Sequence, residues 1–160
     1  MASTYQIGTQ AVTVEVFFAA GARLTGEMFL RLGAVGAAES VSERMNDGTP
    51  FFPLRAPQGH VVLVGKSTIR YVVTPSMDDD DRIADERSSS PQVLVTAELD
   101  SGESITGVFF VDLPPGQVRT LDYINEPKRA FVPLAQLDRE YLINRTHILH
   151  LRDVRDDVRE

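Results

Sequence analysis

Two stretches of the chain decide the fold: VTVEVFFAAGARLTGEMFLRL at residues 12–32 and VLVTAELDSGESITGVFFVDL at residues 93–113. Set against each other at an offset of 81, they share Val12/Val93, Val14/Val95, Gly21/Gly102, Thr25/Thr106, Gly26/Gly107, Phe29/Phe110 and Leu32/Leu113. The match continues beyond them. Met45-Asn46 answers to Ile124-Asn125, Phe51-Phe52-Pro53-Leu54 to Phe131-Val132-Pro133-Leu134, and residues 64–69 (VGKSTI) to residues 143–148 (INRTHI). Block order is kept throughout. Two unrelated strand-rich segments would not hold Gly, Asn and Pro-Leu in register, so the chain reads as an internal duplication.

Within each copy the apolar period is two, the period of a strand with one face buried. Val93, Val95, Ala97 and Leu99 alternate with polar residues up to Asp100-Ser101-Gly102, a hairpin turn signal. The following strand contains Gly107, as its counterpart contains Gly26; a glycine inside a strand marks a bend or a close backbone approach. Pro114-Pro115-Gly116 stops that strand. Val118, Leu121 and Ile124, and in the first copy Val41 and Met45, have helical spacing over one or two turns. Further strands are predicted at residues 130–134 and 141–151. The expected fold is all-β with short helical turns: two small, strongly bent antiparallel barrels in tandem, packed against each other. The expected boundaries are residues 1–75, an unstructured acidic linker at 76–92, a second unit at 93–152 and a charged tail at 153–160.

Apolar residues make up 42% of the 160, enough for a packed core. Cysteine is absent, which excludes disulfides and thiolate-bound metals. No apolar run is long enough to cross a bilayer, and no leader pattern opens the chain, so a cytoplasmic, non-membrane protein is expected. The net charge is −7, which disfavours a protein that coats nucleic acid by bulk attraction. The linker segment, SMDDDDRIADERSSSP at residues 76–91, concentrates acid but lacks the spaced ligands of a cation loop, so no metal is expected there.

The glycine pair, the apolar–Asn pair and the final strand with a short turn inside it resemble the Sm-like (LSm/Hfq-type) fold. In this sequence they are Gly21…Gly26, Met45-Asn46, Leu54 and residues 63–72. They recur as Gly102…Gly107, Ile124-Asn125, Leu134 and residues 142–151. The second copy is also similar to a small bacterial family of uncharacterised Sm-like domains ending in a motif like Ile143-Asn144-Arg145-x-His147-Ile148. The resemblance implies a non-enzymatic module that assembles through strand edges, with itself or with a larger protein partner. It also implies an alternative, binding of single-stranded RNA. Members of the family carry Arg-Gly at the last turn; here the turn reads Gly65-Lys66 and Asn144-Arg145.

Catalytic groups are not evident. Val64-Gly65-Lys66-Ser67-Thr68 lacks the upstream glycine and the following helix of a phosphate-binding loop. His147 and His150 fall on opposite faces of a strand, unsuited to sharing a metal, and His60 stands in a turn. No nucleophile elbow exists, and carboxylates gather in turns, linker and tail. No enzyme activity, cofactor or small-molecule substrate is therefore expected, and nucleotide sensing is a weaker third idea. The best ligand constellation is Asn46 with Lys66 and Asn125 with Arg145, an amide and a cation on adjoining loops that suit a base edge and its phosphate. The competing reading has both asparagines bonding their own backbone in turns.

Overall fold

The computed structural model describes residues 9–32, 39–75, 92–110, 121, 124–126 and 129–154. Ten strands are assigned: β1 (Thr9–Phe18), β2 (Arg23–Arg31), β3 (Phe51–Arg55), β4 (Val61–Gly65), β5 (Ile69–Pro75), β6 (Gln92–Leu99), β7 (Ser104–Phe110), β8 (Phe131–Ala135), β9 (Arg139–Asn144) and β10 (Ile148–Asp153). One short helix, α1 (Val41–Met45), precedes β3. The strands form a single sheet in the order β10-β6-β7-β8-β9-β5-β1-β2-β3-β4, antiparallel at every pairing.

The two halves follow one plan. β5-β1-β2-β3-β4 runs across the first as β10-β6-β7-β8-β9 does across the second. The pairings match residue for residue: Phe51 opposes Gly65 as Phe131 opposes Asn144, and Pro53 opposes Leu63 as Pro133 opposes Leu142. Even the irregularity is copied, since the register slips at Arg70 in β5 and at Leu149 in β10.

The glycines fix the shape of each half. Gly21 and Gly102 turn their hairpins at φ of 101° and 91°, a left-handed conformation that disfavours other residues. Gly26 and Gly107 act by lacking a side chain. A Cβ on Gly26 would lie 2.6 Å from the Arg55 carbonyl oxygen, and one on Gly107 would lie 2.8 Å from that of Ala135. There the next strand crosses close over the bend, so that β2 meets β3 only at Glu27–Arg55 and β7 meets β8 only at Val108–Ala135.

The all-β expectation holds, while the two tandem barrels expected to pack against each other take the form of one open sheet. The sheet does not close in either half. A single 3-10 turn (Lys66–Thr68, and Arg145–His147 in the second half) separates β4 from β5 and β9 from β10. β5 does not fold back on β4 after this turn but lies along β1. The open edge of β9 is then taken by β5, and the two halves merge into one sheet. Gln92, placed in the linker by sequence, begins β6, and Asp153, placed in the tail, ends β10. Residues 76–91 and 155–160, and most of the turn around Val118, lie outside the described residues.

Two cores result, and each borrows from the other half. The first gathers Val14, Val16, Met28, Leu30, Val41, Met45, Phe52, Leu54, Val64, Ile69 and Val72 together with Phe131 and Leu142 of the second half. The second gathers Val95, Ala97, Leu99, Ile105, Phe109, Val132, Leu134 and Ile143 together with Tyr71 of the first. Replacing Gly26 or Gly107 with alanine is expected to cost about 1–3 kcal/mol through forced backbone displacement. A lower midpoint in urea unfolding checks this; an unchanged midpoint would contradict the close crossing.

Candidate functional site

The seam between the halves gathers two of the four side chains that the sequence singles out, Asn46 and Lys66. β5 and β9 pair over Tyr71–Ile143, Val72–Leu142, Val73–Tyr141, Thr74–Glu140 and Pro75–Arg139. Beside this ladder a cavity of about 680 Å³ opens, lined by Asn46, Phe51 and Lys66 from the first half and by Phe131, Asn144 and Thr146 from the second.

Asn46 stands at the end of α1. Ser40 starts that helix with a reciprocal cap, its hydroxyl accepting from the Glu43 N–H while the Glu43 carboxylate accepts from the Ser40 N–H. Val41 and Met45 sink into the first core and hold the turn in place. The Asn46 amide then bridges the halves. Its Nδ2 donates to the carbonyls of Ser42 (3.0 Å) and Phe131 (2.9 Å), and its Oδ1 accepts from the Phe131 N–H at 2.8 Å. The amide thus mimics a strand neighbour for Phe131. Both readings of Asn46 meet here: it bonds its own turn, and it also reaches another segment.

Lys66 is buried. Its Nζ donates to the Arg44 carbonyl (2.8 Å), to Asp47 Oδ1 (2.8 Å) and to Thr49 Oγ1 (3.2 Å). Burial by itself would raise the Asp47 pKa, but hydrogen bonds from Lys66 and Thr49 outweigh it and hold the carboxyl at about 2. In the second half Arg145 does similar work: its Nη1 donates to the carbonyls of Ile124 (2.9 Å) and Glu126 (2.8 Å), on either side of Asn125. The structure therefore brings Asn46 to Lys66 and Asn125 to Arg145, one pair per half. In each pair the cation braces the turn that carries the asparagine. Asn125 itself is exposed.

Other seam residues escaped sequence reasoning. Asn144 Nδ2 donates to the Ile69 carbonyl at 2.9 Å. Tyr71 Oη donates to Glu103 Oε2 at 2.7 Å, and burial followed by this carboxylate drives the phenol pKa well upward. Asp100 receives Arg70 Nε at 3.0 Å and lies 2.6 Å from His147 Nδ1; hydrogen bonds from His147 and Arg70 hold its carboxyl below the usual range. The available signal was a difference between copies: Arg70 answers to Leu149, and Asp100 to Ala19. His150 lies exposed on β10, His60 is exposed, and the Lys66–Thr68 segment is a single 3-10 turn followed directly by β5. Among the described residues no helix is long and apolar enough to cross a membrane.

No protein-family model, curated protein or solved structure matches the chain.

Asn46→Ala strands the main-chain donor and acceptor of Phe131 and is expected to lower unfolding stability by about 1–3 kcal/mol, read from urea titration. The Lys66–Asp47 contact sets an acid response. The folded carboxyl titrates below its unfolded value, so its stabilisation is present above about pH 4 and is lost as pH falls through about 2. Asp47→Asn is expected to flatten the stability profile in that window. A variant as acid-sensitive there as the wild type would contradict the assignment.

Proposed function

We propose that the chain is a non-enzymatic, Sm-like interaction module that assembles with further copies of itself by adding strand to strand. The seam supplies the pattern. Inside the molecule a β9 edge is covered by β5; at the ends of the sheet, β4 and β10 hold the equivalent positions with no strand across from them among the described residues. The two outer edges are therefore complementary halves of the joint already formed within.

The observation that carries this reading is a contrast in exposure between equivalent residues. Phe131 is 2% exposed and Leu142 0%, both inserted into the core of the other half. Their counterparts in the first half, Phe51 on β3 and Leu63 on the outer strand β4, are 59% and 72% exposed. Val61 is exposed as well, where the matching Glu140 is buried. Fully burying a side chain of this size stabilises by about 1.5–3 kcal/mol, so a β10 strand laid along β4 has a sizeable apolar gain to offset its ordering. A joint of this kind is head-to-tail: each added copy presents the same two edges again, until a ring closes or a filament grows.

The alternative, single-stranded RNA, would use Asn46 with Lys66 and Asn125 with Arg145. In the first pair the ammonium is held by Asp47 and the amide by Phe131, and in the second the guanidinium is held by the carbonyls of Ile124 and Glu126, so these groups already have partners within the chain.

Light scattering on a size-exclusion column tests the proposal. The mass is expected to rise above the 17.7 kDa of one chain as concentration increases, and Leu63→Glu to hold it at one chain. A single-chain mass for the wild type at tens of micromolar would contradict the reading. A titration with uridine-rich and adenine-rich oligomers at low salt is expected to give no binding; tight, salt-dependent binding would favour the alternative.

A further inference from the structure

We propose that Asn125 is the latch of the joint between copies: its amide closes on the main-chain N–H and C=O of Phe51 in a neighbouring chain. This rests on the edge-to-edge assembly proposed above and specifies where that assembly is held.

Asn125 repeats Asn46 in its local setting. The Asn46 N–H donates to the Ser42 carbonyl at 3.0 Å, closing its turn, and the Asn125 N–H donates to the Leu121 carbonyl at 3.1 Å. A cation from the following strand turn braces each of the two turns. The difference lies in what faces the amide. Asn46 meets Phe131 across the seam, whereas Asn125 is exposed beside the half that ends in the outer strand β10.

Phe51 is equally prepared. The Lys66 N–H donates to the Pro50 carbonyl at 2.8 Å, as the Arg145 N–H does to the Ala130 carbonyl at 2.9 Å. Peptide groups alternate along a strand, so both bonds turn the N–H and C=O of the next residue away from the partner strand. For Phe131 that direction leads to Asn46; for Phe51 it leads outward.

Transferring the seam residue by residue fixes the register. Tyr71–Ile143, Val72–Leu142 and Val73–Tyr141 become His150–Val64, Leu151–Leu63 and Arg152–Val62 between chains. The transfer also says how the second joint differs. Three polar contacts of the seam have no counterpart: Asn144 is replaced by Gly65, the Arg70–Asp100 pair by Leu149 and Ala19, and the Tyr71–Glu103 pair by His150 and Ala22. What is kept is the asparagine clamp and the buried leucine and phenylalanine. The joint between copies therefore has fewer polar side-chain contacts than the seam, and the latch is the side-chain clamp it keeps beside the strand ladder.

The absence of cysteine makes the test clean. Single variants Leu63→Cys and Leu151→Cys, mixed and treated with a short bismaleimide, are expected to give covalent dimers. Val61→Cys mixed with Leu151→Cys reports a register shifted by two and is expected to give few. Asn125→Ala is expected to weaken self-association about tenfold or more in a light-scattering dilution series while leaving the urea midpoint of the single chain in place. Asn46→Ala is expected to do the reverse. Assembly that Asn125→Ala leaves unchanged, or cross-links that favour the shifted pair, overturns the latch while the edge-to-edge reading survives. A wild-type chain that stays single at every concentration overturns both.

Discussion

A β-strand with nothing beside it exposes a row of unpaired N–H and C=O groups, and a protein must pair, cover or charge such an edge. Here the strand that follows each 3-10 turn after β4 and β9 runs to the far side of its own half rather than back along its neighbour. Each half is thereby left with two open edges of opposite kind. The β5–β9 ladder pairs one edge from each, and the shared cores follow from it: Phe131 and Leu142 can be buried only because the first half offers them Met45, Val64 and Val72.

The seam is reinforced by groups that do not compete with one another. Apolar side chains supply non-directional burial, and Asn46 fixes position by holding both main-chain groups of Phe131. Arg70, Tyr71 and Asn144 tie the hairpin turn of one half and the last turn of the other to the ladder. Tyr71 also stacks on Phe17 with ring centroids 4.5 Å apart, so the strand that crosses into the second core stays anchored in the first half. The covalent link between the halves makes pairing at the seam intramolecular, which favours it over pairing between chains.

The strand pattern was legible because it is local. Alternation at Val12, Val14 and Val16, the hairpin turns at Gly21 and Gly102, and the bends at Gly26 and Gly107 can all be read within ten residues. The helical spacing of Val41 and Met45 likewise foretold α1. The merging of two expected barrels into one sheet was not legible, since it depends on which distant edges meet, as Tyr71 meets Ile143. For the same reason Asn46 and Lys66 were found as neighbours, but their partners were not: Phe131 lies 85 residues from Asn46, and Asp47 is one acid among many. The asymmetries between the copies, Arg70 against Leu149 and Asn144 against Gly65, mark the seam once the halves are superimposed in sequence. They acquire that meaning only when the strand order is known.

In the assembly proposed here, the two outer edges of the sheet are the separated halves of the joint in its middle. Backbone hydrogen–deuterium exchange, followed by mass spectrometry over a concentration series, tests it most directly. The amides of β4 and β10 are expected to become protected together as concentration rises, while those of β5 and β9 are protected at every concentration. Protection of one outer edge without the other, or fast exchange at both while β5 and β9 also open, would contradict it.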